Sequence, residues 1–376
     1  MKNAFGKILK ILICIMAIFV GIPIGFAVGR MLSGGDVGGR SLLELVLALF
    51  IGYVINIVVH EGGHLVLGLL CGYRFCSFRI GSLMMVRQGG RLNLRSFKLV
   101  GTGGQCLMIP PEKQESKAQI ILYNLGGIIF NILFALICIT IGLLIPKTPM
   151  LTDTLMLSGF LSVFGAITNG IPMNAGGIAN DGMNALHLSK NPDAAEAFRK
   201  TLLINAAQTE GERISDMPDE WFTLPDGADM QNVHCASLKV FAVSRPLDRG
   251  DAVAAEQQIS DLLNSKYNII GLHKNLLTCD LICCKLLNGS PIDKKDYLTP
   301  ELVKVMKAMK RYPQIIRTWY FIALLDDKNE LYAQKTRMYF EQATKKYPYR
   351  QEIDSELALM DKALKKFKNE TYSEAE

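Results

Sequence analysis

The chain has 376 residues, 49% of them hydrophobic and 20% charged, with a mean hydropathy of +0.21. That length suggests two domains, and the composition excludes an intrinsically disordered chain or a simple charged-tail protein. Of the 41 Lys+Arg and 35 Asp+Glu, 14 and 7 lie in residues 1–187, leaving 27 and 28 for residues 188–376. The first half is therefore sparsely charged, apolar and net positive, a pattern that belongs to a membrane protein and gives no reason to expect a nucleic-acid partner. The nine cysteines form no CxxC pair and are read as reduced packing thiols rather than a zinc site.

Four apolar stretches are long enough to cross a bilayer, at about 20 residues each. They run over Ile8–Val28, Leu42–Leu70, Ile120–Ile145 and Leu151–Ile171. The first follows Lys2 and Lys7 and exceeds a signal-peptide core, so a retained anchor is expected over residues 1–41. The loop Gly72–Gln119 carries eight basic and two acidic residues, whereas Gly29–Ser41 and Pro146–Asp153 carry only Arg30, Arg40 and Lys147 as bases. By the positive-inside rule the N-terminus, that loop and the long tail are cytoplasmic.

Within the second stretch stands His60-Glu61-Gly62-Gly63-His64. Residues i and i+4 share a helix face, so both imidazoles can reach one metal ion, with Glu61 beside them to take a proton from water. Zinc suits two imidazoles and a carboxylate with one position left open. The alternative is a helix end in the cytoplasm with solvated histidines. Three ionisable residues in five, inside an apolar run, favour a bound ion or a polar cavity. The third ligand is expected at Asp181, the one acidic residue between Asp153 and Asp193, although Asp181-Gly182 could also be a simple turn. Pro172 and the glycines around it break a helix, which is tolerated at membrane depth only beside protein or water.

Taken with Gly126-Gly127-Ile128-Ile129-Phe130-Asn131 in the third stretch and Asn169…Pro172…Asp181-Gly182 after the fourth, the chain resembles the site-2 proteases of bacterial type. The resemblance covers residues 42–190. It implies a polytopic intramembrane zinc metalloprotease in which His60, His64 and Asp181 bind Zn2+, Glu61 activates water, and the substrate is a membrane protein or peptide. It departs from the family pattern in one place: Pro172 and Asp181 are nine residues apart, with a Gly-Gly insertion.

Residues 73–81 and 91–99 alternate apolar and polar side chains, which is strand periodicity, and Gln88-Gly89-Gly90 signals a turn between them. In site-2 proteases a membrane-associated β-element with a similar Gly-Gly meets the substrate, which implies substrate-binding roles for Gly103 and Gly104. A plain hairpin is the alternative. Asn131 and Asn169 are the other candidate substrate-binding residues, with Asn131 alternatively a helix-joining amide. His187, His234 and His273 are not assigned to the metal.

From about Pro192 the pattern is amphipathic helix broken by Pro and Gly: Ala194–Ala207, Ala252–Leu263, Asn268–Leu287, Pro300–Lys310, Gln314–Leu325, Leu331–Lys346 and Gln351–Phe367. Tyr339–Pro348 is similar to the second helix of a tetratricopeptide repeat, without a second copy at the 34-residue period. The expected fold is mainly α: about four spans, a small β-element, and a cytoplasmic helical domain over residues 191–376 that could dock a protein partner. Two rivals to an intramembrane protease remain. One is a membrane-anchored zincin whose third ligand is a tail glutamate, and the other is a non-catalytic membrane adaptor.

Overall fold

A computed structural model describes residues 42–96, 102–145, 149–175 and 178–373. The expected first span, Ile8–Val28, lies outside these residues. Two compact units result.

The first unit contains three long helices, α1 (Leu42–Leu70), α2 (Lys117–Leu144) and α3 (Pro149–Gly170). All three are long and apolar enough to cross a membrane. Helix α2 starts at a capping box, with Gln119 N–H donating to Ser116 Oγ at 3.3 Å and Ser116 N–H to Gln119 Oε1 at 2.9 Å. The bundle is inverted relative to a water-soluble one. Phe50, Leu133, Leu136, Leu143 and Leu144 are exposed, while Asn56, His64, Asn124, Asn131, Ser158 and Ser162 are buried. Asn56 shows how such an amide is satisfied where no water reaches, by bonds to backbone and to a neighbouring hydroxyl. Its Nδ2 donates to Gly52 O at 2.8 Å and Ser158 O at 3.0 Å, and its Oδ1 accepts from Ser162 Oγ. Helices α1 and α2 meet backbone to backbone, because a Cβ on Gly63 would lie 2.3 Å from Gly126 O.

In the second unit, strands β1 (Arg74–Ile80), β2 (Leu83–Gln88), β3 (Arg91–Ser96) and β4 (Gly104–Ile109) form an antiparallel sheet in the order β3-β2-β1-β4. The two expected strands are present as β1 and β3. The two in addition, β2 and β4, are short apolar runs without a polar alternation. Gly89 and Gly90 both have positive φ, +56° and +76°, the tight-turn geometry that joins β2 to β3.

The remaining elements are two two-residue strands, β5 (Asn174–Ala175) and β6 (Ile178–Ala179), a short helix α4 (Asp181–Leu188), and the tail. Tail helices are α5 (Pro192–Glu210), α6 (Val233–Asp248), α7 (Ala252–Asn264), α8 (Gly271–Leu287), α9 (Lys294–Tyr297), α10 (Pro300–Ala308), α11 (Pro313–Phe321), α12 (Glu330–Thr344) and α13 (Arg350–Ser373). Asn191, Asn232, Asp251, Thr299 and Asn329 cap helix N-termini through side-chain oxygens. Ile282, Phe321, Phe340 and Met360 are fully buried in one continuous core. The eight described cysteines are all buried, as packing thiols should be, and burial pushes the Cys283 thiol up to about 12.

Candidate metal centre

The site belongs to the first unit. His60 and His64 sit one turn apart on α1, with ring centroids 5.0 Å apart and planes at 83°. Asp181 opens α4, where a carboxylate is favoured by the helix dipole. Its Oδ2 lies 3.1 Å from His60 Nε2 and 3.4 Å from His64 Nε2. One ligand atom from each residue fits within 4.8 Å of the others. Among the described residues this is the one His/Cys/Asp/Glu group so arranged.

Each ligand is aimed by its surroundings. The Tyr123 carbonyl can only accept, so His64 Nδ1 carries the hydrogen of their 2.9 Å contact, and in the neutral ring that leaves Nε2 bare for a metal. His60 packs on Gly127, where a Cβ would lie 2.5 Å from its Cε1 and 2.6 Å from Nδ1. Its Nδ1 is 3.2 Å from the amide nitrogen of Asn131. Glu61, next to His60 on the same turn, is half-buried.

Asp181 is held by a residue that the sequence does not single out. The Asn180 side chain makes four hydrogen bonds. Its Oδ1 accepts from Met173 N–H and Met183 N–H, both at 3.0 Å. Its Nδ2 donates to Thr168 O at 2.8 Å and Ile171 O at 2.7 Å. One amide thus satisfies the end of α3 and the start of α4, closing the segment by which this chain departs from the family spacing. An Asn directly before a helix is a cap signal, but nothing in the sequence says that its other end reaches back to α3. Gly182 completes the join, because a Cβ there would lie 2.2 Å from Gly170 O.

The other expected residues are placed differently. Asn169 is half-buried and its Nδ2 donates to Gly165 O on its own helix at 3.0 Å. Gly103 and Gly104 belong to the second unit, at the start of the edge strand β4. There Gly81 N–H donates to Gly103 O at 2.7 Å. The buried Arg79 donates to Gly81 O at 2.7 Å, Gly104 O at 3.2 Å and the Thr102 hydroxyl.

A zinc ion fits the donor set. Two imidazole nitrogens and one carboxylate oxygen converge, and Asp181 Oδ2 is buried with no well-formed hydrogen bond of its own. An apolar-surfaced helical bundle with a His/His/Asp group in its interior is the arrangement a membrane-embedded metalloprotein requires. The family model of Peptidase family M50, the site-2 protease family of intramembrane zinc metalloproteases, matches residues 48–359, and the chain belongs to that family. The match runs well past residue 190, into the helical tail. No curated protein and no solved structure matches the chain.

Proposed function

We propose that this protein is an intramembrane zinc endopeptidase that hydrolyses a peptide bond in or near a transmembrane segment of a membrane-bound substrate. The observation that carries this reading is the convergence of His60, His64 and Asp181 inside a bundle whose surface is apolar. Bound by these three residues, zinc would supply Lewis acidity at the reacting carbonyl and water. Glu61, adjacent to His60, takes the proton of the attacking water and passes it to the departing amine nitrogen. Asn169, Gly103 and Gly104 are read as substrate-binding, since the edge strand of a sheet can hold an extended peptide by main-chain hydrogen bonds.

His60 lies 18 residues past Leu42, roughly 27 Å along a helix at ~1.5 Å per residue. With Leu42 taken near the outer face of a core about 30 Å thick, and the eight bases of the 72–119 loop on the cytoplasmic side, the reaction would lie near the inner boundary of a cell membrane. The helical tail is then cytoplasmic and available to a protein partner. The rival zincin is not favoured, because among the described residues the converging carboxylate is Asp181 and not a tail glutamate.

Zinc content and cleavage of a single-span substrate, measured together for wild type, Glu61→Gln and Asp181→Ala, test the reading. Glu61→Gln should keep its zinc and lose cleavage by roughly 100-fold or more. Asp181→Ala should lose zinc, having two protein ligands left. Undiminished zinc in Asp181→Ala, or near-normal turnover in Glu61→Gln, would overturn the assignment.

A further inference from the structure

We propose that Asn131 is a positioning residue for the metal centre, holding the His60 ring through Nδ1 so that Nε2 faces Asp181. The inference rests on the metal-binding reading above and assigns Asn131 a task other than substrate binding. Asn131 lies on α2 and is 2% exposed. Its Nδ2 lies 3.2 Å from His60 Nδ1, and its Oδ1 is buried without a hydrogen-bond partner.

An amide that merely joined helices would be expected to use both ends on its neighbours, as Asn56 uses its amide on α1 and α3. Asn131 instead directs its amide at a ligand ring and leaves its carbonyl oxygen unused. The space around the pair is kept open by glycine on both sides. A Cβ on Gly127 would lie 2.5 Å from the His60 ring, and one on Gly165 of α3 would lie 2.6 Å from Asn131 Nδ2.

The two histidines are thus held by different means. His64 is fixed by a main-chain carbonyl, which no substitution removes, and His60 by a side chain, which can be changed. The ends of an amide are nearly isosteric, so Asn131 can present a donor or an acceptor to the same ring nitrogen. When Nε2 faces a metal, Nδ1 carries the ring hydrogen, and the spare Oδ1 is the acceptor it requires.

Competitive zinc titration of the purified full-length protein, against a chelator and without reference to activity, tests the assignment. Asn131→Leu keeps the approximate volume and removes the hydrogen bond. It should weaken zinc binding roughly 10- to 100-fold. Asn131→Asp keeps an acceptor at the same place and should stay within a few-fold of wild type, a rescue that a packing role would not produce. Zinc lost in His60→Ala but unchanged in Asn131→Leu overturns this proposal alone, and zinc retained in His60→Ala overturns the metal reading as well. If Asn131→Leu does not fold, the Asp variant decides: affinity near wild type supports the role, and a loss of about 10-fold or more overturns it.

Discussion

The membrane unit and the helical tail divide polar and apolar side chains in opposite ways. Helices α1–α3 put asparagine, serine and histidine inside and leucine and phenylalanine outside. The tail does the reverse, with Ile282, Phe321, Phe340 and Met360 buried and its lysines and glutamates mostly outside. One rule produces both patterns: each surface matches its solvent, and each interior takes what is left. A catalytic metal is built more easily in the first, because there the polar residues already face inward.

The tail breaks its own pattern at Arg317, and this is where the largest effect is expected. Arg317 is 1% exposed, with Nη2 2.5 Å from Asp280 Oδ1 and Nε 3.0 Å from Glu356 Oε2. Gln314 Nε2 also donates to Asp280 Oδ1, at 2.8 Å. Removing the guanidinium leaves the buried Asp280 carboxylate without its counter-charge, so Arg317→Ala should cost about 3–5 kcal/mol. Both tryptophans, Trp221 and Trp319, lie in the tail, so their fluorescence during urea unfolding reads that loss directly. A shift below about 1 kcal/mol would mean that the cluster is hydrated rather than buried.

A matched pair of lysine substitutions tests the comparison itself. Leu133 on α2 and Val253 on α7 are both exposed, at 50% and 70%. In water either site should accept lysine within about 0.5 kcal/mol. If α2 faces lipid near its middle, Leu133→Lys should instead cost about 2.5–3.5 kcal/mol and reduce membrane insertion, while Val253→Lys is silent. Equal tolerance at the two sites, measured by membrane-fraction yield and thermal unfolding, would remove the distinction between the units.

Features that depend on local spacing are legible in the sequence, and features that depend on how elements meet are not. Helix α1 occupies Leu42–Leu70, the apolar run itself, and α2 and α3 begin within three residues of the expected positions. His60 and His64 share a face because about 3.6 residues make a turn. Strands β1 and β3 alternate visibly, whereas Leu83-Met84-Met85-Val86 and Cys106-Leu107-Met108-Ile109 carry no alternation to read. Helix α6 is hidden because Pro246 stands inside it, where a proline ordinarily signals an end. The contact of Asn131 with His60 depends on the close approach of Gly63 to Gly126, a tertiary event without a local signature.

Asn180 sharpens the contrast from the membrane side, with a smaller expected effect. Its four side-chain bonds replace water at two helix ends, so Asn180→Ala leaves those backbone groups unpaired and lets Asp181 shift. Zinc affinity should fall about 10-fold, the lower end of what losing a supporting residue costs. Asn180→Asp keeps the acceptor for Met173 and Met183 but loses both donors, and should fall between Ala and wild type. Identical zinc affinity in all three would show that Asp181 is placed by Gly182 and α4 alone.

The smallest effect concerns a tail histidine in the opposite situation to His64. His234 has no place in the metal group; it packs edge-to-face on Phe198, with centroids 5.3 Å apart. Burial, with a smaller push from the charge of His187, lowers its pKa from 6.5 to about 4. Between these values the unfolded chain holds a proton that the folded chain does not, so stability rises with pH across the window. The penalty is absent above pH 6.5, grows as the pH falls, and is complete below about 4. At about pH 5.5 it amounts to roughly 1 kcal/mol. Glu352 and Glu356, which burial pushes up to about 7 and about 8, give the tail a dependence of the opposite sign. Comparing wild type with His234→Phe cancels that contribution, since both chains carry the same glutamates. The variant should therefore gain roughly 1 kcal/mol on wild type when urea unfolding is moved from about pH 7.5 to about 5.5, read by the tail tryptophans. Parallel pH profiles for the two chains would mean that His234 takes up its proton as readily folded as unfolded, and that this part of the tail interior is wet.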